Sequence, residues 1–350
     1  VSAAAARPRG TEPGTAKQRR LKTNNSQEDG AGLMKTSVDC SLSWRLVVSS
    51  FALCMGLLAC TRQSDQPPNQ AIEKIADGVY TFRFENQRSL FLVADQGVIV
   101  TDPLNTVAAA AYRDAIAEIT AQPVKYVVYS HYHWDRVSGA QIFKDAGAEI
   151  VAQERCADRF RVNPNPNVVM PDITFSEEYS VTVGNQSLDL FYFGPSHGDC
   201  LTVFVTSPAN LLQVVELINP PRASFPRNPL VSYIKPHNLR QFFRDLEFLV
   251  NERGIETVIA SSAIAVDDGQ SGQHLSVATG PVTIIHDQAM FWEAIYNAVE
   301  IARAEGNVGI DSFVKLKTID LEPFKPYDGY SKEDLPIIMR RFVGFYDMGR

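Results

Sequence analysis

Val124-Lys125-Tyr126-Val127-Val128-Tyr129-Ser130-His131-Tyr132-His133-Trp134-Asp135-Arg136 is the stretch on which the reading of this chain turns. Its first half is a short apolar, β-branched and aromatic run of the kind that forms a buried strand. Its second half places two imidazoles and a carboxylate within five residues, directly where such a strand would end. Side chains that close together on one turn can converge on a cation, and a nitrogen-plus-oxygen donor set suits zinc. His131, His133 and Asp135 are therefore candidate metal ligands.

The surrounding segments alternate strand and helix patterns. Upstream, Gly78–Phe84 and Ser89–Val93 read as strands joined by a turn, and Gly97–Asp102 is a continuous apolar strand ending in a carboxylate. A helix is expected over 105–121, capped by Asn or Thr, and others near 137–147, 153–162, 236–250 and 286–305. Residues 163–172, with Pro164, Pro166 and Pro171, read as a loop. Strands are expected near 149–152, 179–183, 187–193, 201–206, 211–217 and 256–260. Interleaved strands and helices predict a layered α/β domain with its site at the carboxyl ends of buried strands. Two further site candidates fall at such ends: His197-Gly198-Asp199, in a turn opened by Gly194-Pro195-Ser196, and Glu216. Gly272-Gln273-His274-Leu275 follows much later. His237 and His286 stand at helix starts, where capping or surface roles are expected.

Taken in order, Asp102, His131-Tyr132-His133-Trp134-Asp135-Arg136, Tyr192-Phe193-Gly194-Pro195-Ser196-His197, Val214-Val215-Glu216-Leu217-Ile218 and His274 resemble the metallo-β-lactamase fold superfamily over about residues 72–305, in a divergent hydrolase branch. The resemblance implies an αββα sandwich, two mixed sheets packed face to face with helices outside. It also implies that His131, His133 and His197 hold a first zinc, and that Asp135 and His274, with Glu216 where the family has a bridging Asp or a Cys, hold a second. Asp102 corresponds to a carboxylate that braces the histidine loop, with Asp199 and Arg136 in similar supporting places. The chain departs from the pattern in three places. Arg136 stands where most two-metal members have a histidine, Glu216 is one methylene longer than Asp, and Ser261-Ser262 replaces the Gly-His expected after the strand Thr257–Ala260.

The amino-terminal part calls for a different explanation. Residues 1–33 hold almost no large apolar side chains and are expected to be disordered. Because the first methionine is Met34, they are expected to be a gene-model extension. From Met34 to Ala59 the pattern is that of a secretory signal, with Lys35 and Arg45 ahead of an uncharged apolar run from Leu46. That run is shorter than the roughly 20 residues needed to span a bilayer. Its end, Leu57-Leu58-Ala59-Cys60, resembles a bacterial lipobox, which implies a lipid on Cys60 and a membrane-tethered, exported protein. Residues 60–71 read as a linker, and 306–350, rich in aromatics, as an extension packed on the domain. Cys156 and Cys200 would then be the cysteines of the mature body, able to form one disulfide in an oxidising compartment.

Charge sharpens the division. Residues 1–62 contain nine Lys/Arg and four Asp/Glu, and the remaining 288 contain 24 and 36. An acidic body argues against nucleic acid as a partner, since phosphate binding needs a positive surface. The substrate is expected to be a small molecule. Nothing in the pattern points to a particular oligomeric state. Three imidazoles around one or two zinc ions, with Asp135 orienting water and passing a proton to the leaving group, predict hydrolysis of an ester, lactone, amide or related bond. The alternatives are a mononuclear iron oxidoreductase on the same ligands and a non-catalytic envelope lipoprotein with a degenerate site.

Overall fold

A computed structural model describes residues 69–218, 233–267, 273–309, 311, 340 and 342–346. The expected disordered head, signal segment, lipidation site Cys60, most of the linker and much of the C-terminal extension lie outside them. In chain order the elements are β1 (Gln70–Ala76), β2 (Val79–Phe84), β3 (Gln87–Ala94), β4 (Gly97–Thr101), α1 (Thr106–Ile119), β5 (Val124–Val128), α2 (Trp134–Val137), α3 (Gln141–Asp145), β6 (Glu149–Gln153), α4 (Glu154–Val162), β7 (Ile173–Phe175), β8 (Glu178–Val183), β9 (Gln186–Tyr192), β10 (Thr202–Ser207) and β11 (Leu211–Val214). They continue with α5 (Pro236–Arg253), β12 (Thr257–Ile259), β13 (Ala265–Asp267), β14 (Gln273–Leu275), β15 (Thr279–Pro281) and α6 (Ile284–Ala304).

Two mixed sheets result. The first has the order β1-β2-β3-β4-β5-β6-β7 and the second β15-β12-β11-β10-β9-β8. In the first sheet β1 to β4 form an antiparallel meander, and β4 to β7 run parallel. The parallel half is connected through helices, as parallel strands require. The period-2 alternation of strand side chains places the two faces in different cores. On β4, Ile99 joins the layer between the sheets with Leu90, Leu188 and Val203, whereas Val98 and Val100 face α1, α3 and α4 with Tyr112, Phe143 and Phe160. Beyond the second sheet, α5 and α6 complete an αββα sandwich. Leu239, Phe242 and Leu246 of α5 and Phe291, Trp292 and Ile295 of α6 are buried there.

The helix expected over 137–147 is shorter, α3 at Gln141–Asp145, and the single turn α2 ends at Val137 before it. Between them Gly139 adopts φ +91°, and a Cβ there would lie 2.7 Å from the backbone of Asn105, so the chain must pass close to the α1 cap. Near the other end of the chain, Phe342 is buried and its ring packs edge-on against Trp292 and Tyr296.

Candidate metal centre

The site forms where β5 leaves the parallel half of the first sheet. Tyr129 makes the last ladder bond, its N–H donating to Val151 O at 2.9 Å. The chain then leaves the sheet at Ser130, whose backbone is held from both sides. Its N–H donates to Asp102 Oδ1 at 2.8 Å, and its carbonyl accepts from Thr202 N at 2.7 Å. Asp102 thus ties the end of β4 to the histidine turn while Thr202 ties in the second sheet. His131 and His133 issue from this pinned residue, and His133 serves as the N-cap of α2. On that single turn Asp135 points to solvent and Arg136 into the protein.

His197 arrives from the second sheet, in the loop after β9. Gly194 at φ +88° turns the chain, Ser196 N–H closes on Gly198 O at 2.8 Å, and Tyr192 Oη donates to Asp199 O at 2.8 Å. A disulfide between Cys156 of α4 and Cys200 holds the loop to the first layer, with Cα atoms 5.4 Å apart. Gly198 lies under the Tyr132 ring, since a Cβ there would meet Tyr132 Cε1 at 3.0 Å.

These constraints bring three imidazoles together. The ring centroids of His131 and His133 are 4.5 Å apart, those of His131 and His197 5.1 Å, and those of His133 and His197 4.9 Å. Each offers one ring nitrogen, and the three lie within 4.8 Å of one another. His133 Nδ1 and His197 Nε2 are 3.1 Å apart. Two nitrogens bound to one tetrahedral zinc at ~2.0–2.1 Å would be roughly 3.3 Å apart, so small shifts suffice. His131 Nδ1 is bonded to Ser130 Oγ at 2.8 Å, which leaves its Nε2 for another partner. That Nε2, like His197 Nδ1, is buried without a hydrogen bond. Burial pushes the His131 pKa well below its ordinary value, with its neighbours His197, His133 and Arg136 adding to the effect. Burial also takes His197 down to about 4 and lowers His133, although Glu216 opposes the shift at both. All three rings are therefore neutral near pH 7, with lone pairs available. Three converging neutral imidazoles, two of them buried with an unbonded nitrogen, fit a metal ion.

The other expected ligands are placed differently. Asp135 is exposed and accepts from Gln87 Nε2 at 3.1 Å through Oδ2. Glu216, in the left-handed region at φ +69°, gives its Oε1 to Arg136, which donates to it from Nε at 2.7 Å and also from Nη2. Arg136 is 1% exposed and also donates to Ser261 O and Ser262 Oγ. Burial pushes the Glu216 carboxyl up, but Arg136 and the two nearer histidines outweigh it and hold the group below its ordinary value. His274 is exposed on the β13–β14 hairpin, opposite Val266. Among the described residues the three histidines form the group able to hold a metal, and neither Glu216 nor His274 belongs to it. A guanidinium and the Ser261-Ser262 turn stand beside Glu216 where a second ion would need ligands.

Asp102 is fully buried, and desolvation raises its pKa to about 6 despite the hydrogen bonds from Ser130 and the charge of Arg136. Asp102 and Glu216 both adopt positive φ, a backbone state that costs ~1–3 kcal/mol in a non-glycine residue. His237 stacks near Phe345 and His286 Nδ1 lies 3.3 Å from Glu247, so neither approaches the cluster. Arg159 and Tyr233 were not legible in the linear pattern. Arg159 Nε donates to Asp199 Oδ2 at 2.7 Å, and Tyr233 Oη bridges the pair.

A model of the metallo-beta-lactamase superfamily matches residues 83–214, which include all three histidines. The chain is 25% identical over 165 residues to "Metallo-beta-lactamase type 2" of Elizabethkingia meningoseptica, covering 45% of this chain and 63% of that protein. It is 27% identical over 134 residues to "2,4-dinitroanisole O-demethylase subunit alpha" of a Nocardioides strain, covering 37% and 41%. The chain thus spans less than two thirds of either relative. Among solved structures, a metallo-beta-lactamase from Pontibacter korlensis matches with a TM-score of 0.52 at 17% identity, over 64% of this chain and 99% of that one. The DIM-1 metallo-beta-lactamase matches with 0.51 at 14%, over 65% and 99%. At these identities the structural likeness speaks for the fold.

Proposed function

The chain carries a metallo-β-lactamase superfamily domain, and from this we propose that it is a zinc-dependent hydrolase of a small ester, lactone, amide or related substrate. The observation that carries this reading is the triad of neutral imidazoles, buried and under-bonded at His131 and His197 and half-buried at His133, beside the exposed carboxylate of Asp135. A divalent ion held there would supply Lewis-acid polarisation and a water whose pKa is lowered toward ~7. The protein's own groups do the rest. Ser130 Oγ fixes the His131 ring, and Asp102 fixes Ser130, so the imidazoles need little reorganisation on binding. The Gln87 amide holds one oxygen of Asp135 and leaves the other to orient a water and carry a proton to the leaving group. Arg136 pairs with Glu216 and offsets its charge beside the histidines.

The Arg136–Glu216 pair favours a single ion, because a carboxylate already bonded to a guanidinium is a poor ligand for another cation. We expect one zinc per chain. The test is elemental analysis of the purified protein together with turnover of an ester, lactone and β-lactam panel. The aryl methyl ether 2,4-dinitroanisole belongs in it because of the demethylase relative. His133→Ala is expected to lose both metal and turnover; retention of both would overturn the proposal. The metal ligands would equally hold iron, so oxygen uptake is measured in parallel. Export as a lipoprotein anchored at Cys60 is part of the same proposal. The Cys156–Cys200 disulfide supports it, since such bonds persist in oxidising compartments.

A further inference from the structure

Resting on the hydrolase reading of the histidine site, we propose that Arg159 selects the substrate by receiving a carboxylate on it. Arg159 belongs to α4, which supplies none of the metal-site histidines. Its guanidinium is nevertheless built into the wall of the site. Nε and Nη2 both face Asp199 Oδ2, at 2.7 and 2.6 Å, Nη2 also donates to the Tyr233 hydroxyl, and Cζ stands 5.6 Å from the Tyr132 ring centroid and 5.5 Å from that of Tyr233. Tyr132 in turn lies 4.7 Å from the His133 ring and presses on Gly198, so one aromatic ring separates the guanidinium from a metal ligand. Two rings and a carboxylate hold the fork in one orientation, which removes most of the rotamer entropy an arginine loses on binding. The group still has binding capacity. It keeps 41% of its side-chain surface, and among the described residues Nη1 has no hydrogen bond. A guanidinium preorganised on aromatic faces, with Nη1 left to donate, suits one oxygen of a carboxylate. Asp199 leaves Nη1 open, because its Oδ2 is held on the Nε–Nη2 edge.

The bland alternative is that Arg159 only clamps the His197 loop through Asp199. Two 4-nitrophenyl esters with the same leaving group separate the two: the hydrogen glutarate ester, which carries a free carboxylate, and the butyrate ester, which does not. The zinc-loaded full chain is expected to favour the glutarate ester by about tenfold or more in kcat/KM, the scale of one partly exposed charge-assisted hydrogen bond. In R159Q that ratio should collapse toward one through KM, and R159K should restore part of it. A ratio unchanged in R159Q, or both esters slowed equally, would overturn the proposal in favour of the clamp. If neither ester is turned over, the hydrolase reading fails by itself, and Arg159 is then read by calorimetry. Glutarate should bind the wild-type protein at least about tenfold more tightly than R159Q, while glutaramide should not distinguish them. Equal glutarate affinities would overturn the proposal.

Discussion

Removing the charge of Arg136 tests the electrostatics of the site most directly. Arg136→Met keeps the length and apolar packing of the side chain and deletes the guanidinium. In the wild type that group is 1% exposed and donates to Glu216 Oε1, Ser261 O and Ser262 Oγ. Ser261 O keeps its bond from Arg88 N–H at 2.8 Å, so the loss falls mainly on Glu216. Breaking a fully buried pair by removing one partner costs about 3–5 kcal/mol. The Glu216 side chain retains 27% of its exposure, and water screening reduces the expected cost to roughly 2–4 kcal/mol at pH 8. The pH dependence has a definite sign. In the wild type the Glu216 pKa is lowered, so its contribution is present above the unfolded value and is lost as pH falls through the folded one. In R136M the largest influence opposing desolvation is gone, the folded pKa rises, and the penalty shrinks as acidification protonates the carboxyl. Urea unfolding with EDTA at pH 8 and pH 5 measures both without interference from metal linkage. Adding Glu216→Gln to R136M should recover part of the loss at pH 8. A penalty below about 1 kcal/mol, or one that does not shrink at pH 5, would refute the reasoning.

Other consequences are open to measurement. Replacing Cys156 and Cys200 by serine releases a closed loop with a sequence separation of 44, for which chain entropy gives about 4 kcal/mol. Denaturant midpoints and zinc affinity should both fall, the latter because Cys200 anchors the His197 loop. Gly139→Ala forces a Cβ into the backbone of Asn105 at a positive φ and should cost about 3 kcal/mol or prevent folding, read by thermal unfolding. Asp102 has a folded pKa of about 6, so the stability it contributes below the unfolded pKa is lost as pH rises through 6. Asp102→Asn keeps an acceptor for Ser130 N–H and should flatten this part of the profile. The wild type should lose up to about 3 kcal/mol relative to the variant between pH 4 and pH 7; parallel profiles would count against the assignment.

The His-x-His-x-Asp spacing places two metal ligands on one turn whatever the rest of the fold does, because residues that close in sequence cannot separate in space. Apolar patterning likewise foretold the strands of both sheets except β1, β7 and β15, and β9 and β10 fall where the pattern put them. His197 stood out in a glycine- and proline-containing turn between two strands, and the family resemblance made it a ligand candidate. The remaining site residues depend on contacts between segments far apart in sequence, and spacing carries no information about them. Whether Glu216 faces an ion or Arg136 is decided by 80 residues of intervening fold and by the exclusion of water, which makes the ion pair form. Where His274 lies is decided by a hairpin, β13–β14, whose three-residue strands are too short to show a period. Arg159 reaches the site only because α4 packs beside the His197 loop and a disulfide holds the two together. The sequence alone determined the layered α/β architecture and the pairing of His131 with His133, because these follow from local periodicity and short spacing, while His197 joined them through the family resemblance. Only the tertiary structure decided the partners of the charged groups, because burial and long-range proximity set whether a carboxylate meets a metal, an arginine or water.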